Sequence, residues 1–179
     1  WWYRALRRFL VHHLNRFLPS WRDRDILDAG CGTGGNLQHL GSQPSHTGVD
    51  LADEAIDYCR QRGLSNVLQA NITQLPLDDQ SQDAIISTSV LYHQWIANVD
   101  DTLQEFHRVL RPEGWLFIDV PAFKSLHSPH DEAVLTARRF TRAMLREQLD
   151  RNGFTIQRMT YWNSFLFPLV WIARRFKLV

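Results

Sequence analysis

The sequence predicts an α/β fold built on a mostly parallel, doubly wound sheet, and three observations carry that expectation. Short apolar runs alternate with amphipathic helical segments along the chain, the pattern of a parallel sheet covered on both faces. Asp83 to Thr88 and Trp115 to Val120 are apolar at their centres, as strands buried on both sides are. Arg24 to Ala29 runs straight into a glycine-rich turn, Gly30-Cys31-Gly32-Thr33-Gly34-Gly35. The chain has 179 residues, 44% apolar and 22% charged, the size and balance of one domain with a real core. That excludes a disordered tail, a coiled coil and a disulfide-stapled miniprotein.

Trp2, Leu6, Phe9, His13 and Phe17 recur at helical spacing with arginines between them, so residues 2–18 form an amphipathic helix that Pro19 ends. Strands are expected at 24–29, 46–51, 66–70, 83–88, 115–120 and 154–161. Helices are expected at about 35–41, at 53–62 with Asp53 as cap and Gly63 past its end, at 100–110, and at 141–152 with Thr141 as cap and Gly153 at its exit. Arg111-Pro112-Glu113-Gly114 reads as a turn. The organisation is an N-terminal helical segment (1–24), a core (25–161) and an apolar, basic C-terminal segment (162–179).

The net charge of +1 conceals an asymmetry: +5 over residues 1–24, −9 over 25–150 and +5 over 151–179. No uniformly basic face emerges, so nucleic acid is not an expected partner. Cys31 and Cys59 suggest reduced thiols in a cytoplasmic protein. No secretory segment is visible, and Phe165 to Ala173, the longest apolar run, is too short to span a bilayer. The basic, aromatic ends leave two readings: they pack over the sheet, or they touch the inner face of a membrane.

A strand ending in glycines and opening a helix presents backbone N–H groups to a ligand without side chains in the way. Gly30, Gly32 and Gly35 satisfy a dinucleotide pattern, and Asp50 follows at the distance expected of an acid that takes ribose hydroxyls. Asp28 separates the candidate ligands. Its carboxylate, two residues before Gly30, would repel a pyrophosphate and attract a cation. S-adenosyl-L-methionine carries a sulfonium and an ammonium and no phosphate, so it is expected over a nicotinamide cofactor. A bland reading stays beside each acid: Asp28 bonds only loop N–H groups, and Asp50 is a surface acid near a helix.

Ile26-Leu27-Asp28-Ala29-Gly30-Cys31-Gly32-Thr33-Gly34 resembles the first motif of class I S-adenosylmethionine-dependent methyltransferases, and Gly48-Val49-Asp50-Leu51 resembles the second. Gln69-Ala70-Asn71-Ile72, Asp83 to Ser87, and Arg108 to Leu116 resemble the adenine segment, the fourth strand and the turn into the fifth. The resemblance covers 25–161 and implies a Rossmann-like fold. It implies a donor site of Asp28, Gly30, Cys31, Gly32, Gly34, Asp50, Leu51, Asn71, Ile72 and Ser87, with S-adenosyl-L-homocysteine as product. The ends resemble a bacterial branch of the family. Three departures stand out: Asn71 where Asp is frequent, Glu113 where Gly is common, and no counterpart for the seventh, antiparallel edge strand.

The acceptor belongs beyond the fourth and fifth strands, at the carboxyl edge of the sheet. Tyr92 and His93 follow the fourth strand, and His93 is the leading candidate for a base, against a histidine merely bonded at a strand end. His127, His130 and Asp131 follow the fifth; Ser128 as cap and Pro129 at the first position explain them as a helix start, substrate contact with His130 as a base is the alternative, and a metal site of His-x-x-His-Asp type is conceivable but not the expected reading. Arg139, on the helix expected after them, could hold an anionic group or sit in an ion pair, and Tyr161 could line the pocket. The expected activity is methyl transfer to an oxygen or nitrogen of a small-molecule or lipid-linked acceptor. The rivals are an NAD(P)-dependent oxidoreductase and a non-catalytic partner subunit that binds the same donor.

Overall fold

The computed structural model describes residues 2–43, 45–162 and 164–175. Helix α1 (Trp2–Phe17) leads to β1 (Ile26–Ala29), α2 (Gly35–Leu40), β2 (His46–Asp50), α3 (Asp53–Gln61) and β3 (Val67–Gln69). Then come β4 (Gln82–Thr88), α4 (Val99–Val109), β5 (Leu110–Asp119), α5 (Pro129–Ala133), α6 (Arg142–Arg151) and α7 (Phe167–Arg175). The sheet is parallel throughout, in the order β3-β2-β1-β4-β5. The chain winds outward from β1 to β3, then returns to the other side of β1 for β4 and β5. The crevice between the carboxyl ends of β1 and β4 is therefore the point where strand order reverses, the position at which such sheets bind ligands.

Both faces are covered. Helix α1 lays Leu10 and Leu14 on Ile26, Ala84 and Ile86, while Leu103, Phe106 and Val109 of α4 pack with Leu27, Ile85 and Val49 on the opposite face. The buried positions of α1 are Leu6, Leu10, His13 and Leu14; Trp2, expected on the inner stripe, is partly exposed. Helix α3 begins with Ala52 rather than Asp53 at its cap, and Asp50 takes the Ala52 N–H at 3.0 Å. Thr141 accepts from Met144 N at 3.2 Å and caps α6 as expected.

The expected turn at 111–114 is an excursion within β5. Pairing passes from Gln82↔Leu110 to Ala84↔Trp115, so β5 spends three more residues than β4 over that stretch. Glu113 takes a left-handed φ of 63° there. Arg111 bonds Asp25 at 2.9 Å and Asp83 at 2.8 Å, tying the excursion to the start of β1 and β4.

Two further expectations are corrected. Residues 154–161 form no strand; Phe154, Ile156 and Met159 instead pack on the core beside α4. Their apolar side chains reported burial, which an extended segment achieves without a hydrogen-bonded ladder. Among the described residues β5 is the edge of the sheet. Helix α5 also stops at Ala133, so Arg138 and Arg139 lie on an extended return segment, held by Ala137 N to Tyr92 O (2.9 Å) and Phe140 N to Pro121 O (2.9 Å). Among the described residues, no helix is long and apolar enough to cross a membrane.

Candidate functional site

The glycine loop is shaped by what surrounds it. Gly30, Gly32 and Gly34 all take left-handed φ values. A Cβ at Gly30 would lie 2.9 Å from Val90 Cγ1, and one at Gly34 would lie 2.9 Å from Cys59 Sγ. A Cβ at Gly32 would meet nothing within 4 Å: it would fill open space above the loop. Both cysteines are free and buried, and Cys59 Sγ donates to Gly32 O at 3.2 Å.

Asp28 sits wholly buried at the switch point. Asn36 Nδ2 donates to its Oδ1 at 3.1 Å and to Thr88 Oγ1 at 3.0 Å, bridging β1 and β4. Asp28 Oδ2 is buried without a hydrogen-bond partner. Burial pushes the carboxyl up to about 7, with Asp50 adding to the rise and Asn36 and Arg7 opposing it. Asp50 accepts from Gly32 N (2.7 Å) and Ala52 N (3.0 Å), so it holds the loop while each oxygen keeps a further lone pair. The buried, unpartnered oxygen of Asp28 and the open space over Gly32 both fit a cationic ligand lying across the loop.

The remaining residues expected at the donor line up along the same edge. Leu51 is half exposed beyond β2. Asn71 turns its Oδ1 back onto Thr73 N at 3.0 Å, and Ile72 is buried below it. Ser87 is buried, with its Oγ unpartnered.

Tyr92 and His93 stack with ring centroids 4.7 Å apart in the turn after β4; Tyr92 lines the cavity beside β5 and His93 does not. His93 bridges to Thr136, and its buried Nδ1 has no partner. Burial lowers its pKa, Asp50 working the other way, which favours the neutral ring. Burial likewise pushes the Tyr92 hydroxyl up. His127 is exposed, and the side chain of His130 lies outside the described residues.

Asp131 and Arg139 find each other rather than solvent. Arg139 donates to Asp131 Oδ1 from Nε at 2.8 Å and from Nη2 at 2.7 Å, and to Ala122 O at 2.8 Å. Asp131 also takes the Ser128 N–H at 2.9 Å and its hydroxyl at 3.1 Å. Burial pushes Asp131 up, but Arg139 and Ser128 outweigh it and hold the carboxyl below its usual range. This buried pair stitches the start of α5 to the return segment. Tyr161 takes the Arg142 N–H at 3.2 Å and packs 4.8 Å from Phe123.

Four residues not expected at the site belong beside it. Asn36 orients Asp28. Asp119, at the end of β5, is mostly buried and its carboxyl is raised by that burial, against a 2.8 Å bond from Trp162 Nε1. Trp162 in turn packs tilted against Trp2 (4.4 Å) and stacks on Phe9 (5.8 Å), closing an aromatic wall over the end of β5. Arg7 reaches from α1 to Gly35. An acid closing an apolar run was the available signal for Asp119, the same signal that marked Asp28. A largely apolar cavity of about 1600 Å³ follows β5 and includes Thr88, Tyr92, Asp119, Phe123 and Tyr161 in its lining.

A parallel sheet with this strand order and a glycine loop at its switch point defines a nucleoside-binding α/β protein. Residues 27–118 match the methyltransferase-domain family. The chain is 39% identical over 105 residues to a malonyl-[acyl-carrier protein] O-methyltransferase of Yersinia pestis, covering 56% of this chain and 38% of that one. It is 32% identical over 123 residues to a probable S-adenosylmethionine-dependent methyltransferase of Mycobacterium tuberculosis, covering 68% and 43%. An S-adenosylmethionine-dependent methyltransferase structure from Methanosarcina mazei superposes with a TM-score of 0.70 at 22% identity, covering 82% and 85%. The chain thus belongs to the class I S-adenosylmethionine-dependent methyltransferase family, whose methyl donor is S-adenosylmethionine. It spans about two-fifths of the length of these two curated relatives.

Proposed function

We propose that the chain transfers the methyl group of S-adenosylmethionine to an oxygen or nitrogen of a small-molecule or lipid-linked acceptor. The observation that carries the donor reading is the buried, unpartnered Oδ2 of Asp28 beside an open glycine loop. The bound donor supplies an electrophilic methyl on a sulfonium. Asp28 would neutralise the donor's cationic end, Asp50 would take ribose hydroxyls while holding Gly32, and Asn71 and Ile72 would border the adenine.

The acceptor side favours a neutral hydroxyl or an amine on an apolar body. Asp119 faces the cavity, and Arg139, the cation expected for an anionic group, is already committed to Asp131. A hydroxyl or ammonium must lose a proton before or during transfer; Asp119 lines the cavity and is the group placed to take it, while His93 follows β4 outside that lining. The remaining tasks are alignment and exclusion of water. The relative from Yersinia pestis is named for a carboxylate acceptor carried on a protein; here that chemistry ranks second. Radiolabelled methyl transfer to a matched series of long-chain amines, alcohols, phenols and fatty acids tests the reading. Products from amines or hydroxyls support it, and transfer confined to the acids overturns the acceptor assignment. Tight S-adenosylhomocysteine binding with no transfer at all would favour the non-catalytic subunit.

A further inference from the structure

We propose that Arg7 binds the carboxylate of the donor's aminoacyl end, opposite Asp28 on its ammonium. The inference rests on the donor site proposed above and adds a residue on α1, outside the stretch that matches the family.

The starting point is Gly35. It stands inside α2 without a left-handed φ, so its backbone could carry any residue. A Cβ there would nevertheless lie 2.9 Å from Cζ of Arg7 and 3.4 Å from its Nε, with Nη2 closer still. Glycine at 35 makes room for a guanidinium. That guanidinium is poorly served by the protein: Arg7 Nε is buried without a hydrogen-bond partner, and among the described residues no carboxylate forms a salt bridge with it. Leaving a buried charged donor unpaired is costly, so the arrangement calls for an anion. The charge of Arg7 acts on Asp28, whose own Oδ2 is unpartnered. A carboxylate with one unpartnered buried oxygen and a guanidinium with an unpartnered buried Nε thus stand at the same glycine loop. A zwitterion with ammonium and carboxylate on a single carbon satisfies both, and the planar fork of arginine suits the carboxylate.

The alternative is that Arg7 serves only to offset the charge of Asp28. The two roles separate with a pair of ligands: S-adenosylhomocysteine and its decarboxylated analogue, which keeps the adenosine, the thioether and the amine. Calorimetric titration of the full chain should give the acid at least about tenfold tighter binding than the amine. Arg7→Gln should reduce that ratio to about one by weakening the acid alone, and Arg7→Lys should restore part of it. Gly35→Ala keeps the arginine but displaces it, and should lower the same ratio with the fold intact by circular dichroism; it decides the matter if Arg7→Gln fails to fold. A ratio unchanged in Arg7→Gln, or in Gly35→Ala where that variant decides, overturns the inference, as does an equal loss for both ligands. Absence of binding by the unaltered chain to either ligand would overturn the donor site itself, a different result from an unchanged ratio.

Discussion

Replacing Asp28 with Asn removes a charge and keeps the shape. In the free protein, burial lifts this carboxyl from 3.8 to about 7. At about 1.36 kcal/mol per pH unit, that corresponds to roughly 4 kcal/mol. The folded state holds the proton more tightly than the unfolded chain, so the stability linked to it is fully present below 3.8 and is lost as pH rises toward and through about 7. Asn cannot titrate. Urea unfolding of both proteins from pH 4 to pH 8 should show Asp28→Asn gaining on the parent by up to about 4 kcal/mol across that window. Donor affinity should move the other way. The variant should bind S-adenosylhomocysteine about 10- to 150-fold more weakly, the equivalent of a lost charge-assisted bond of about 1.5–3 kcal/mol. In the parent, affinity should climb with pH up to about 7, because the ligand's ammonium requires the ionised carboxylate. A stability difference that does not change with pH would refute the raised carboxyl. Equal affinity of parent and variant at pH 8 would refute the selection of a cation by Asp28.

Asp50→Ala should weaken S-adenosylhomocysteine by about 1.5–3 kcal/mol in calorimetry, since it removes both the ribose acceptor and the bond that holds Gly32. Arg139→Ala leaves Asp131 buried without its cation and should cost about 3–5 kcal/mol in urea unfolding; an unaffected midpoint with lost acceptor binding would return Arg139 to a substrate role. Asp119→Asn should slow methyl transfer to an amine or hydroxyl acceptor. It should also remove the limb of the pH–rate profile that rises above the ordinary carboxylate range, where burial places Asp119.

The sheet was legible because its signals are local. The apolar centres of β4 and β5, the glycine turn after β1 and the acid ending β2 each lie within a few residues of one another. The cap at Thr141 could be read for the same reason, whereas at Ser128 the hydroxyl donates to Asp131 and, among the described residues, accepts no helix N–H. What escaped depends on contacts between distant segments. Arg7 looked like one more charge on a solvated helix face until Gly35 was placed beneath it. Arg139 offered a cation to any anion, and only the fold brings Asp131 to it. The apolar residues of 154–161 could not distinguish a packed extended segment from a paired strand, because they report burial and not hydrogen bonding.

The three surplus residues in the 111–114 excursion give β5 slack at its entry. Beyond them Trp115 and Phe117 pack with α1, while Leu116 and Ile118 pack on the α4 face that also takes Leu110, so two apolar stripes hold the strand in register with β4. A change of length at 111–114 should therefore be absorbed before Trp115 and leave Asp119 beside Trp162. The aim of that carboxylate is guarded by the packing around it, and the entry to the strand is free to vary.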